Sequence, residues 1–430
     1  VTSGEVVQLM VGLSAMLAGA MLFGKPLRRL GMPALMAEIA AGVALGPTLL
    51  GWAAPDLYAW LFPATGGAAL ARDGIIKFGL VLFLVLAGLE VEVRHIAENR
   101  RSIALTSILG MVIPFAAGYA SVVLWPGLWR LEGDPGETAL VVGTILSISA
   151  LPVIARILID QNLIGTKVGA LVLSAATIDD LVGWTLFGII LGHTGDRAGV
   201  SEGTMGSLWV TVLLVLGLFA LIMAIGTNWG RWGLAWIRRR VDGSRSYIPV
   251  VFVVILLAAG AAERIGTHAI FGGFLVGVAL ASTNEARRQV YEALRPVTLE
   301  ILAPLYLVSI GLRANFAANF DLGLFGFVLA VATVGKIGGA ALGARLGGSG
   351  ARQALVVGVA MNARGAMGIV LTTVALDYHL IDERVFVALT LMAVLTSAFG
   401  SAAIAWLEKR GAVAQPAGAL ESALAEAPGK

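Results

Sequence analysis

Apolar runs follow one another along almost the whole chain, separated by short clusters of charge. About thirteen of them are of spanning length or slightly less, near 6–23, 33–50, 74–91, 102–125, 137–158, 166–192, 205–227, 247–263, 268–283, 297–313, 321–345, 353–376 and 385–407. A helix needs roughly 20 apolar residues to cross a ~30 Å hydrocarbon core. The pattern therefore predicts an all-α, polytopic membrane protein. Two of the runs are interrupted. In the fifth, Ser147-Ile148-Ser149-Ala150-Leu151-Pro152 carries a proline that removes a helix hydrogen bond and disfavours helix at the residue before it. In the twelfth, Met361-Asn362-Ala363-Arg364-Gly365-Ala366-Met367-Gly368 brings glycines, an amide and a charge to membrane depth. Irregular backbone is tolerated there only where protein or a water-filled cavity surrounds it. If runs one to six repeat as eight to thirteen in inverted orientation, the two interruptions occupy corresponding places, which points to a secondary transporter's midplane site.

The charges between runs set an orientation. Lys25, Arg28 and Arg29, Arg94, Arg100 and Arg101, Arg156 and Lys167, Arg231, Arg238–Arg240 and Arg245, Arg287, Arg288 and Arg295, Arg345 and Arg352, and Lys409 and Arg410 fall on one side. The positive-inside rule makes that side cytoplasmic, and an odd number of helices puts the N-terminus outside and the C-terminus inside. Trp52, Trp60, Trp125, Trp129, Trp229 and Trp232 lie near run ends and read as an interfacial aromatic belt. The first run has no basic cluster before it and reads as a retained helix rather than a secretory signal. Composition agrees: 58% of residues are hydrophobic and 13% charged, which excludes an ordinary soluble domain. The small formal charge of +3 does not suggest nucleic acid, and without cysteine there are no disulfides or thiolate metal sites.

Against this background the charges inside the runs stand out. Asp179 and Asp180 would sit ~20 Å into the sixth run, near the middle of the hydrocarbon layer. Lys336 lies in Val334-Gly335-Lys336-Ile337-Gly338-Gly339, and Arg364 lies in the broken twelfth run. Ionisable groups at that depth are expensive, and a functional site is the default reading. A purely stabilising cluster of two acids and two bases is the alternative. Adjacent helical residues project about 100° apart, so one aspartate can pair with Lys336 while its neighbour faces a cavity. Asp180 is assigned the cavity, where it would bind either a proton or a desolvated alkali cation, and Asp179 the lysine. Hydroxyls of Ser147, Ser149, Ser174 and Thr177, with carbonyls freed near Pro152, are candidate further ligands. Each hydroxyl could equally bond back to its own helix. Glu38 is a weaker candidate for lining the funnel. His268, the Glu263–Arg264 pair, and Glu90 and Glu92 read as interfacial or solvated groups.

Several stretches together resemble the monovalent cation:proton antiporter-2 family, which includes Kef-type, cation/H+ exchanger and bacterial Na+/H+ antiporter branches. They are Glu38–Pro47, Leu82–Glu90, Ser147–Leu158, Ala175–Trp184, Ile265–Phe274 and the Asn362-Ala363-Arg364-Gly365 turn. The resemblance implies a 13-helix, inverted-repeat Na+/H+ antiporter fold with two broken, crossing helices, acting as a homodimer in a bacterial inner membrane. It implies that Asp180 carries cation and proton. Asp179 and Lys336 match an Asp–Lys set associated with electrogenic exchange of Na+ or K+ for H+. No cofactor is implied, and the substrates are the alkali cation and the proton. Ala366 and Met367 depart from the family's pattern, where an acidic residue often follows the Arg-Gly turn.

The expected organisation is an antiporter domain over 1–410, with core helices roughly at 74–192 and 297–376, the remainder dimerisation scaffold, and a cytoplasmic, disordered tail at 411–430. Rival readings are a cation channel, a non-transporting membrane protein and an intramembrane aspartyl protease. The protease needs two carboxylates facing each other from different helices, which neighbours on one helix do not supply.

Overall fold

The computed structural model describes residues 2–29, 34–89, 100–130, 135–161, 163, 166–194, 213, 217, 220–222, 247–264, 268–281 and 284–409. All the regular structure among them is helical. The helices are α1 (Ser3–Arg29), α2 (Ala34–Leu45), the short α3 (Leu50–Ala53) and α4 (Pro55–Leu61), α5 (Gly67–Leu89) and α6 (Arg100–Leu124). The single-turn α7 (Pro126–Trp129) precedes α8 (Pro135–Ser147), α9 (Leu151–Asp160) and α10 (Lys167–Thr194). Beyond the next connection lie α11 (Tyr247–Arg264), α12 (Ala269–Ala281) and α13 (Asn284–Val297). A π-helical turn (Thr298–Leu302) leads into α14 (Ala303–Leu312), followed by α15 (Leu322–Leu346), α16 (Ala351–Met361), α17 (Ala366–Asp377) and α18 (Glu383–Lys409).

Twelve of the thirteen expected runs have helical counterparts. The seventh, 205–227, falls almost wholly outside the described residues, as do Glu90, Glu92, Trp229, Trp232, the arginine cluster at 231–245 and the 411–430 tail. Seven helices among the described residues are long and apolar enough to cross a membrane, and shorter apolar helices stand at Ala269–Ala281, Ala351–Met361 and Met367–Asp377. The protein is a polytopic, integral membrane protein. One belt residue is corrected. Trp52, Trp60 and Trp125 are exposed, but Trp129 is buried and donates its Nε1–H to the Ser121 carbonyl at 3.1 Å. The single turn of α7 folds it back over the end of α6. The arginine cluster at 287–295 also gains an unexpected element, since it lies on the amphipathic helix α13, where Arg288 and Glu292 pair at i, i+4.

The helices pack as two groups. One contains α1, α2, α5, α11, α12 and α14; the other contains α6, α8, α9, α10, α15, α16, α17 and α18. This grouping differs from the limits 74–192 and 297–376. It places Gly67–Leu89 and Ala303–Leu312 in the first group and adds Glu383–Lys409 to the second. Small residues draw the helices together, as is usual where apolar surface meets apolar lipid. On α15, Gly335, Gly339 and Gly343 form a stripe at four-residue spacing against α6. A Cβ on Gly335 would lie 3.1 Å from Pro114 Cα, and one on Gly339 or Gly343 would run into the carbonyl oxygens of Leu109 or Leu105. That close approach brings Lys336, which sits within the stripe, and Ser107 of α6 into one place.

Candidate functional site

Two interrupted helices meet at the centre of the second group. Residues 148–150 separate α8 from α9, and residues 362–365 separate α16 from α17. Pro152 is the second residue of α9, where its missing N–H costs no helix bond. The breaks touch each other through backbone: the Ala150 N–H donates to the Ala363 carbonyl at 3.1 Å. Ser149 Oγ donates to the Met361 carbonyl at the end of α16 at 2.8 Å. Each break therefore supplies partners for helix-end groups that the other leaves open.

The charged residues settle around this crossing, and Asp179, Asp180, Lys336 and Arg364 are all buried. Lys336 Nζ lies 2.6 Å from Asp179 Oδ2 and also donates to the Ser147 carbonyl, the last of α8. Asp179 takes a further hydrogen bond from Ser107 Oγ at 2.7 Å, and Ser149 Oγ, 3.3 Å away, shares its single O–H between Asp179 and the Met361 carbonyl. Its carboxylate thus gathers α6, α15 and the first break onto α10. Asp180 stands beside it, close enough for its charge to act on Lys336.

Arg364 does something different. Its guanidinium donates to the carbonyls of Ile145 (2.9 Å), Leu146 (2.6 Å) and Ile148 (3.4 Å), and to that of Ala332 (3.3 Å). It caps the C-terminal end of α8, where open carbonyls and the helix dipole favour a cation. All four of these acceptors are backbone oxygens.

The candidate hydroxyls divide. Ser149, in the break, does not bond back to α8; its O–H reaches the Met361 carbonyl, with Asp179 Oδ2 3.3 Å away. Ser147 and Thr177 bond back to the Thr144 carbonyl at 2.7 Å and the Leu173 carbonyl at 2.9 Å. Ser174 is buried on α10 but is not among the partners of Asp179. Ser107 was not singled out in the sequence. Its helix also carries buried Ser102, Thr106 and Ser121, and only the rotation of α6 against the glycine stripe distinguishes them. His268 and Glu263 lie away from the crossing. Glu263 accepts from the Ala269 N–H at 2.7 Å, tying the ends of α11 and α12. Among the described residues no group of three or more His, Cys, Asp or Glu side chains is placed to hold a metal ion. The arrangement can hold one ionised carboxylate on a lysine and present a second, adjacent carboxyl at the crossing of two broken helices.

Known proteins resemble this chain along most of its length. It is 30% identical to cation/H(+) antiporter 20 of Arabidopsis thaliana over 394 residues, which cover 88% of this chain and 45% of the plant protein. It is 29% identical to the Na(+)/H(+) antiporter NhaS4 of Synechocystis sp., covering 88% of this chain and 92% of that protein. The chain therefore spans less than half the length of its plant relative and most of the cyanobacterial one. Among solved structures, the sodium proton antiporter MjNhaP1 of Methanocaldococcus jannaschii superimposes with a TM-score of 0.65 over 94% of this chain and 99% of its own, at 14% identity. That likeness is one of fold. The sodium/hydrogen exchanger, transmembrane family model matches residues 12–409. The chain belongs to that family, which is one of transporters and not of enzymes.

Proposed function

We propose that the protein exchanges a monovalent alkali cation, Na+ or K+, for protons by competition at Asp180. The observation that carries this reading is the buried Asp179–Lys336 pair, seated at the crossing of two broken helices with a second carboxyl adjacent to it. A carboxyl group in that position takes either a proton or a cation, so arrival of one ligand expels the other. Asp179, held by Lys336, Ser107 and Ser149, keeps a negative charge beside the binding position. Arrival of the cation would draw Asp179 away from Lys336. Lys336 is then a second group able to release a proton, which makes the exchange electrogenic. Freed backbone carbonyls near the crossing are the further cation ligands, while Arg364 holds the end of α8 in place.

The same reading makes the group of α6, α8–α10 and α15–α18 the moving core, and the group of α1, α2, α5, α11, α12 and α14 the scaffold through which two copies pair. The basic connections face the cytoplasm, the N-terminus lies outside, and the membrane is a bacterial inner membrane.

Purified protein in proteoliposomes with a pH-sensitive dye tests the reading. Addition of Na+ or K+ is expected to move protons in the parent and not in Asp180→Asn, with a rate that changes when the membrane potential is clamped. Ion flux without proton movement would make the protein a channel, and no movement with any alkali cation would remove the antiport reading altogether.

A further inference from the structure

The two helix groups meet along a boundary whose one end is stitched by side chains. Arg313, which closes α14, forms an ion pair with Asp377 at the end of α17. Beside it the ring of His268, just before α12, lies 6.3 Å from that of Tyr378. On the connection from α14 to α15, Phe316 packs 6.1 Å from Phe386, and Asn319 Nδ2 donates to Glu383 Oε2 at 2.6 Å, both partners on α18. Deeper on the same boundary, Trp184 of α10 lies 5.9 Å from Phe274 of α12 and donates its Nε1–H to Met367 Sδ at 3.3 Å. Trp184 stands four residues beyond Asp180, about one helical turn nearer the stitched end. That end is the outer one in the proposed orientation. An apolar layer and a polar rim thus lie one above the other between Asp180 and the outer surface.

The rim pair differs from its neighbours in what it joins. Arg384 and Asp321 also pair at this end, at 2.7 Å, but they connect α18 to the N-cap of α15 within the second group. Arg313 and Asp377 belong to different groups. Both are partly exposed, with side chains 27% and 32% accessible, so water screens the pair and separating it costs little. The aromatic layer beneath is non-directional and can part and re-form without leaving polar groups unpaired. Such contacts suit a closure that must open repeatedly.

We propose that the Arg313–Asp377 pair, with the Trp184–Phe274 contact beneath it, is a closure that holds the two helix groups together at the outer end, so that Asp180 faces that side only when the pair separates. This rests on the antiport reading for its purpose, but not for its test.

The chain has no cysteine, so a single introduced thiol reports cleanly. Met367→Cys places one under Trp184, with a side chain two heavy atoms shorter than the parent's. A membrane-impermeant maleimide, applied to each face of sealed vesicles in turn, is expected to label it about two- to fivefold faster from the Arg313 side when Arg313→Gln is added, the factor expected for a partly exposed ion pair. Arg384→Gln is expected to leave the rate unchanged. Equal effects of the two arginine variants would overturn the proposal. In a second arm, Arg313→Cys/Asp377→Cys is bridged by a short bifunctional thiol reagent. Exchange should stop and return on reduction, and exchange at the unbridged rate would also overturn the closure. A parent that exchanges no alkali cation defeats the antiport reading, while the labelling arm still decides the closure.

Discussion

The Asp179–Lys336 and Asp321–Arg384 pairs join the same kinds of group at nearly the same distance, 2.6 and 2.7 Å, in opposite surroundings. The first is wholly buried, while the second has side chains 28% and 13% accessible at the outer rim. In water the charges of an ion pair are solvated apart almost as well as together. In a low-dielectric interior each charge has lost its hydration, and attraction compensates only if the remaining hydrogen-bonding sites are filled. The filling is visible at Asp179, where Ser107 donates and Ser149 shares its O–H, and at Lys336, where the Ser147 carbonyl accepts a second N–H. The rim pair has less to satisfy: Arg384 reaches the Leu128 carbonyl at 2.8 Å, and Asp321 caps α15 through the Leu324 N–H at 3.0 Å. The same chemistry thus serves as an obligate unit at the crossing and as an optional fastener at the rim.

Removing one partner breaks this comparison most sharply. Lys336→Ala leaves the Asp179 charge buried with two hydroxyls and no cation. The expected loss of stability is about 3–5 kcal/mol. Thermal unfolding in detergent should show it as a large fall in Tm, and Asp179→Asn/Lys336→Ala should recover much of it, because the stranded charge is gone. A double variant as unstable as the single one would mean that lost packing, not the buried charge, sets the cost.

The pair also marks how far the sequence could be read. Asp179, Asp180, Lys336 and Arg364 were legible as candidates because an ionisable group in an apolar run is expensive and demands a partner or a site. The two interruptions were legible because a proline, or glycines beside an amide and a charge, weaken a helix at membrane depth, although Pro114 and the pair Gly338-Gly339 lie inside unbroken helices. Ser107 was not, since its selection from several buried hydroxyls on α6 depends on helix rotation, a tertiary property. Ser147 and Ser149 looked alike in the sequence, yet only the one in the break was free to leave its own backbone. The role of Arg364 was readable as a charge at depth but not as a cap, because the carbonyls it caps lie more than two hundred residues away in the chain, at Ile145, Leu146 and Ile148. The grouping of α5 and α14 with the first set of helices was likewise invisible, since apolar runs of similar length carry no label for the neighbour they will pack against.

Arg364 sharpens the comparison, because it is a buried cation that donates to four backbone carbonyls. Arg364→Lys keeps the charge beside the α8 terminus but loses the planar fork that reaches Ile145, Leu146 and Ile148 together. The charge-to-dipole attraction survives while one or more charge-assisted hydrogen bonds are lost, so a cost of about 1.5–3 kcal/mol is expected. Hydrogen exchange should report it locally, as faster opening of the last turn of α8 with α5, in the other helix group, unchanged. Equal loosening of both helices would assign Arg364 to general packing instead of capping.

The smallest effect belongs to the rim. Arg384→Gln removes the ion pair with Asp321 but leaves that carboxylate in water and still capping α15 through Leu324. Neither side of the broken pair is stranded, so the expected change is about 0.2–1 kcal/mol, shrinking further as salt is raised. Unfolding followed at low and high ionic strength gives the check. With choline chloride as the salt, the parent and the variant should converge as its concentration increases, whereas the deficit of Lys336→Ala should persist, since so bulky a cation does not enter the crossing to screen it. If high salt erased both deficits alike, the crossing would have to be wet enough to solvate Asp179, and burial would no longer explain why this pair carries two serines and a helix-end carbonyl with it.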